Sequence, residues 1–492
     1  MRGSNYKIGD KMSSAELSQT DFGRIYYNLP KEIREPSTIE ELAQILKNYH
    51  KRGTAVTIRN TGHSSNGQTL TDGVQIDLGR IRGVRFDEEQ LEATVGAGTS
   101  WHELFQAINL PKYCAPVFPN NPGQKIHIGG TAAVGGIGPY STKYGGFWNH
   151  VLRLKLVTMT GEIIECSREQ NYELLQYSLG GFGRIGVIGE LTMRVIPATK
   201  EVLALALVYH DRKKLYDDTL AALRDPQFDC VMPQLQLAKH PTLQKLGLNP
   251  GGLFLLIDLG ENANVKELTD YVTSKFHEDL TLFIQDNAEG ESYDLGVTWK
   301  HATMLKTDIV YAYADPRNEN PKTLDASKPW IDCIVDPIQL YNFWQEETKI
   351  VHAYGMQGYV TKEQVFHDPF NIDTFTSWSI KKLTPQGEPI LPLSLDLPQA
   401  ANFAFGVGIL LTVPSNKVNA VLKMIKAIDD LTYEIQGKRY LHGTHNLTKA
   451  QIEQHFGRQV IEHWQQIKDE LDPKHLLNIG VIEHLDGEGW EI

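Results

Sequence analysis

Cysteine is scarce in this chain: four residues among 492, at positions 114, 166, 230 and 333, and no two of them form a Cys-x-x-Cys pair. That excludes a disulfide-stapled scaffold, a zinc ribbon and thioredoxin-type chemistry, and leaves buried free thiols and no metal site as the expectation. Long apolar runs are also missing. The longest, at residues 403–414, is well short of the roughly 20 residues that cross a bilayer, so no membrane partner is expected. Basic residues are outnumbered, 48 Lys and Arg against 60 Asp and Glu for a net charge of −12. A basic surface for phosphate neutralisation is therefore lacking, and nucleic acid is excluded as a partner. The polar start, Met1-Arg2-Gly3-Ser4, is followed by no apolar core of a secretory signal, so a cytoplasmic location is expected, a removed signal being left open. What is present is ordinary globular composition, 41% hydrophobic and 22% charged. At roughly 100–200 residues per domain, this length allows two or three folded units.

Periodicity supplies the elements. In residues 33–49, Thr38 precedes Glu40 and Glu41, and Ile39, Leu42, Ile45 and Leu46 share one helical face; a capped amphipathic helix follows. Short β-branched runs at 55–58, 74–78 and 91–95 read as strands. Ser100 with Glu103 is a capping box that opens a second helix. Between Gly123 and Gly146 glycine is so frequent that little regular structure with large side chains is expected there, and backbone must approach something closely. From about residue 201, LALALVY, GGLFLLIDL and FAFGVGILLTV read as strands, while VKELTDYVTSKF and VNAVLKMIKAIDDL read as helices. A second α+β unit is expected there, and QIEQHFGRQVIEHWQQIKDEL returns to helix near the end.

Two glycine-bearing segments carry chemistry. Gly181-Phe182-Gly183-Arg184-Ile185-Gly186 matches the dinucleotide pattern G-x-G-x-x-G, but helical NYELLQYSL comes before it and strand-like VIGELTMRVI after it. A Rossmann loop needs the opposite order, with a helix N-terminus facing the pyrophosphate, so that reading fails. Arg59-Asn60-Thr61-Gly62-His63-Ser64 follows a strand and offers a run of backbone N–H groups, a nest suited to pyrophosphate. A lone loop histidine is by itself as compatible with a solvated or backbone-bonded side chain; a second Gly-rich loop about 65 residues on favours a cofactor site.

Gly62-His63-Ser64 with Gln68, Gly129-Gly130-Thr131 with Gly135-Gly136, the strand VLRLKLVTMTGEIIECS, NYELLQYSLGGFGRIGVIGELTMRVIPA, Lys328-Pro329-Trp330 and the terminal DPKHLLNIG occur in this order. In this the sequence resembles the flavin enzymes of the vanillyl-alcohol oxidase and p-cresol methylhydroxylase superfamily, and within it the cytokinin dehydrogenases. The resemblance covers nearly the whole chain and is thin between about 201 and 435. It implies an α+β, two-domain fold of the PCMH (p-cresol methylhydroxylase) type. Its FAD-binding domain comprises residues 1–200 and a C-terminal return at 437–492, and an α+β cap domain at 201–436 roofs the substrate site. It further implies FAD attached covalently through His63. The double attachment of some relatives needs a cysteine just before the Gly-Gly pair, and none stands there, so a single bond is expected. The implied cofactor contacts are Arg59, Asn60, Thr61, Gly62, His63, Ser64 and Gln68 in the first loop, Gly129, Gly130, Thr131, Gly135, Gly136 and Gly138 in the second, and Gly186, Val187, Ile188 and Asn478 beyond.

The implied activity is hydride removal from a C–H next to oxygen or nitrogen of a small organic molecule, with O2 or another electron acceptor; the oligomeric state stays open. Cytokinin dehydrogenases carry a catalytic aspartate before the Gly-Gly pair, whereas this chain reads Phe118-Pro119-Asn120-Asn121-Pro122-Gly123, and amides do not take up protons at neutral pH. His127, Tyr140, His442, His445 and Asn121 are the replacement candidates, each with a bland structural alternative. Cytokinin dehydrogenase proper, and a flavin fold that binds without turnover, are the competing readings.

Overall fold

The computed structural model describes residues 20–109, 112–119, 126–138, 140–199, 201–234, 251–278, 280–283, 297–299, 326–356, 375–381, 403–411 and 413–481. Three short strands, β1 (Glu32–Arg34), β2 (Val56–Arg59) and β3 (Val74–Asp77), form a parallel sheet in the order β1-β3-β2. Helix α1 (Ile39–Arg52) forms as expected: extended Thr38 accepts the Glu41 N–H at 3.1 Å, and Leu42, Ala43, Leu46 and Tyr49 are buried. An antiparallel sheet follows, built from β4 (Val84–Asp87), β5 (Glu92–Gly96), β6 (Val151–Val157), β7 (Ile163–Ser167) and β8 (Val187–Arg194) in the order β4-β5-β8-β6-β7. Helix α2 (Trp101–Ala107) begins at the Ser100–Glu103 capping box.

The glycine-rich stretch contains a short helix of mostly small residues, α3 (Ile128–Val134). Its glycines lower the intrinsic propensity, but packing decides: Gly129 lies so close to Ala97 that a Cβ would come within 2.6 Å of it, and Ile128 is fully buried. Gly181–Gly186 sits after a helix and before β8, the arrangement that removes the Rossmann reading.

Among the described residues, those beyond 200 build a nine-stranded antiparallel sheet. Its strands are β9 (Glu201–Tyr209), β10 (Cys230–Gln234), β11 (Gly251–Leu259), β12 (Leu280–Phe283), β13 (Val297–Trp299), β14 (Trp330–Val335), β15 (Phe375–Lys381), β16 (Phe403–Leu410) and β17 (Lys438–Arg439). The order is β12-β9-β11-β10-β15-β16-β14-β17, with β13 also on β9. Four helices, α4 (Arg212–Leu223), α5 (Val265–Lys275), α6 (Leu340–Ala353) and α7 (Val418–Glu434), share a core with one face. Leu203, Leu205, Leu207 and Tyr209 point to these helices, whereas Val202 and Val208 join the core that contains Trp101 and Phe147. The period of two explains why β9 is apolar from Val202 to Val208: both its faces are covered. In β14 the same alternation sends Ile331, Cys333 and Val335 to the helices and Ile334 to the other side.

The chain then returns to the first sheets. After β17 come α8 (Lys449–Phe456) and α9 (Arg458–Leu471), separated at Gly457 with φ +83° where the sequence pattern suggested one helix. Val56 N–H donates to Leu476 O at 2.8 Å and Asn478 N–H to Val56 O at 2.9 Å, so the terminal segment lies along β2. The four cysteines are buried. Among the described residues no helix is long and apolar enough to cross a membrane.

Candidate functional site

Where β2 ends, the chain turns through residues 60–67 with Gly62 and Gly67 at φ +74°. The amides of Thr61, Gly62 and Ser64 find no acceptor among the described residues, so they are directed outward as a nest. Buried Asp21 holds the loop's base, accepting Gly67 N–H at 2.6 Å and the Ser64 hydroxyl at 3.4 Å. Burial pushes the Asp21 carboxyl up to about 6, opposed by the Gly67 hydrogen bond and by Arg59. Arg59 itself donates to Thr20 O at 2.8 Å. The half-buried His63 ring stacks on Phe22 with 4.8 Å between centroids.

This loop is one wall of a cavity with about 1530 Å³ of empty volume, counting its open mouth. The facing wall is α3, positioned by Gly129 against Ala97 and by the Trp101 indole, which donates to Thr131 Oγ1 at 3.0 Å. Gly130 differs from Gly129: a Cβ there would meet only Asn60 Nδ2, at 3.5 Å. Its amide has no acceptor among the described residues, and the buried Asn60 Oδ1 has no partner. Asn478, at φ +50°, closes the floor, its Oδ1 accepting Ile58 N–H at 2.8 Å and its Nδ2 donating to Gly183 O at 2.8 Å. Open amides on two walls, an unpartnered amide oxygen and a glycine facing empty space fit a phosphate-bearing dinucleotide.

The roof comes from β14 and the segment after β17. Trp330, Asp332, Tyr440 and His442 all line the cavity. The His442 ring lies edge-on to Trp330 at 5.2 Å; burial pushes its imidazole down to about 4, a hydrogen bond to the His63 backbone pulling the other way. Burial pushes the Asp332 carboxyl up to about 7, against a hydrogen bond from the Trp330 side chain and the charge of Arg439. Among the described residues its Oδ2 is buried without a hydrogen-bond partner.

Of the expected cofactor residues, Asn60, Thr61, Gly62, His63, Ser64, Gln68, Gly129, Gly130, Thr131, Gly136, Val187, Ile188 and Asn478 line the cavity. Arg59, Gly135, Gly138 and Gly186 stand behind the lining. A Cβ on Gly62 would strike the Arg59 guanidinium, one on Gly138 the Phe118 carbonyl and one on Gly186 the Leu156 side chain, while Gly135 accepts the Tyr440 hydroxyl at 2.7 Å. Of the expected catalytic candidates, His127 and His442 face the cavity. Tyr140 and His445 do not: the Tyr140 hydroxyl donates to Asp258 Oδ1 at 3.0 Å, and His445 Nε2 meets Asn66 Nδ2 at 3.4 Å. Asn121 lies outside the described residues. Sequence reasoning missed Asp332, Tyr440 and the clamp at Asp21. A signal for Asp332 existed: it is an acid two residues after Trp330 in the otherwise apolar WIDCIV, hence on the tryptophan's face. Among the described residues no cluster suited to a metal ion occurs.

Comparison with known proteins agrees with this geometry. Residues 30–167 match the family described as FAD binding domain. An uncharacterized oxidoreductase, ORF5 of the fasciation locus of Rhodococcoides fascians, is 31% identical over 218 residues, 44% of this chain and 49% of the relative. Cytokinin dehydrogenase 3 of Arabidopsis thaliana is 29% identical over 212 residues, 42% of this chain and 40% of the relative. D-lactate dehydrogenase of Anaerostipes hadrus is 28% identical over 208 residues, 40% of this chain and 42% of the relative. The chain thus spans about half the length, or less, of these curated relatives.

Proposed function

Because this chain belongs to the vanillyl-alcohol oxidase and p-cresol methylhydroxylase superfamily of FAD-linked enzymes, we propose that it is an FAD-dependent oxidoreductase acting on a C–H next to oxygen or nitrogen of a small organic molecule. The observation that carries the proposal is the convergence, in one cavity, of the open amides of Thr61, Gly62, Ser64 and Gly130 with His63. The loop amides and Gly130 would hold the pyrophosphate, and His63 would carry the single covalent bond to the flavin. Bound FAD supplies a two-electron acceptor, reoxidised by O2 or another acceptor.

The chain's own residues bind, orient and exclude water. Ile58, Leu78, Val187 and Ile188 give the cavity apolar walls, which strengthen any polar contact made inside it. His442 stays neutral at physiological pH, so it adds no charge to the roof. We assign residues 1–200 and 437–492 to the FAD-binding domain and 201–436 to the cap, which supplies Trp330 and Asp332. A narrower reading, cytokinin dehydrogenation, draws support from the name of the Arabidopsis relative, while the lactate relative points to 2-hydroxy acids. The test is anaerobic bleaching of the bound flavin's visible band by a panel of alcohols, 2-hydroxy acids and amines that includes isoprenoid adenines. Bleaching by any of them supports turnover, and the member that bleaches fastest names the class. Flavin that binds but stays oxidised with every compound would leave the fold as a ligand-binding protein.

A further inference from the structure

Resting on the oxidoreductase reading, we propose that Asp332, on β14, is the group that takes the substrate's proton. Asp332 is on the face of β14 that Trp330 also occupies, both residues line the cavity, and the Trp330 side chain hydrogen-bonds its carboxyl. Gly408 on the neighbouring β16 leaves it room, since a Cβ there would lie 2.7 Å from Asp332 Oδ1. The second oxygen, Oδ2, is sealed from solvent and has no hydrogen-bond partner among the described residues, so no ion pair or hydrogen bond there fixes the carboxylate against a polar group of the substrate.

Three of the other candidates are held by partners of their own or lie off the wall: the Tyr140 hydroxyl is spent on Asp258, His445 is behind the lining, and the His442 ring is tied to the His63 backbone. His127 faces the cavity from the start of α3. The charged and titratable groups around Asp332 are Arg439 from β17, Glu347 from α6, Cys333 beside it in β14, and Tyr440 and His442 after β17. Arg439 favours the ionised carboxylate. Burial pushes the carboxyl of Glu347 well up from its ordinary range. Desolvation outweighs Arg439 at Asp332 and brings that carboxyl to the range where it is half ionised at neutral pH.

The step balances as follows. The O–H or N–H bond of the substrate breaks and its proton goes to the Asp332 carboxylate. The neighbouring C–H hydrogen leaves with its electron pair to the flavin, and a C=O or C=N bond forms. The substrate is oxidised by two electrons and the flavin reduced by two. Because only the carboxylate accepts a proton, the rate of flavin reduction should rise with pH through about 7.

The experiment compares wild-type holoprotein with Asp332→Asn, which is nearly isosteric, and with Glu347→Gln as a control. First, the visible spectrum of the bound flavin is titrated without substrate between pH 5 and pH 9, chosen as about two units either side of the Asp332 range. A one-proton transition near neutrality, present in wild type and Glu347→Gln but absent in Asp332→Asn, is expected; a flat wild-type titration, or the same transition in Asp332→Asn, overturns the proposal. Second, anaerobic reduction is followed with the best compound of the substrate panel. Asp332→Asn should be slower by roughly 10²–10⁴ with a flat pH profile, and a loss below about tenfold overturns the proposal. If no compound reduces the wild-type flavin, the oxidoreductase reading has failed, and the substrate-free titration decides whether Asp332 is the titrating group of the cavity.

Discussion

Asn478 Oδ1 accepts the Ile58 N–H at 2.8 Å although 420 residues separate them, and the same side chain donates to Gly183 O at 2.8 Å. One amide thus ties the C-terminal segment, the strand that leads into the histidine loop, and the turn before β8, all at the cavity floor.

Asn478→Ala should therefore cost about 2–4 kcal/mol, because it leaves a buried donor and an acceptor unsatisfied. Urea unfolding of the flavin-free protein measures this. An effect under about 0.5 kcal/mol would mean that water replaces both bonds.

His63 is expected to carry the flavin. Acid-precipitated wild type should stay yellow, with a mass above that of the bare chain by one FAD, and His63→Ala should release its colour into the supernatant. Wild type that releases all its colour would refute the covalent bond and leave the fold untouched.

Gly129 and Gly130 should separate. In Gly129→Ala the new methyl meets Ala97 Cβ at 2.6 Å and its Cα at 2.8 Å, an overpacking that costs about 1–3 kcal/mol in fold stability. In Gly130→Ala the methyl meets only Asn60 Nδ2 at 3.5 Å, so the fold should keep its stability while FAD binding weakens. Apo-protein melting and FAD titration of the two variants check this. Wild-type affinity in Gly130→Ala would show that α3 does not face the cofactor.

Acid should destabilise the protein through His445, whose imidazole is pushed down to about 3, first by burial and then by Arg439. The unfolded chain takes up this proton near pH 6.5 and the folded one does not, so the stability is whole above 6.5 and is lost as pH falls toward 3. At pH 5 the loss from this one residue is about 2 kcal/mol. Comparing urea midpoints at pH 7.5 and pH 5, His445→Gln should lose less than wild type; equal losses would assign the acid sensitivity to other histidines.

Helix caps were legible because they are local. Thr38 and Ser100 sit three residues from the Glu41 and Glu103 amides they cap, and the sequence contains everything that geometry needs. Helix α3 was hidden for the opposite reason: Gly129 and Gly130 argue against a helix until Ala97 is seen packed against Gly129. Asp332 was passed over because one acid in an apolar strand reads as a blemish until the strand's second face is known to border a cavity.

By itself, then, the sequence determined the strand and helix texture, the reversed context of Gly181–Gly186, the nest at residues 60–64 and the missing acid before Gly129, since each depends on neighbours a few residues apart. Tertiary structure decided which of those residues meet. Only long-range pairing, β14 with β16 and β17 above and Asn478 with Ile58 below, closes the cavity. That pairing alone places Asp332 in its wall and leaves Tyr140 and His445 behind it, because burial and partnership are properties of packed neighbours and not of the chain's local order.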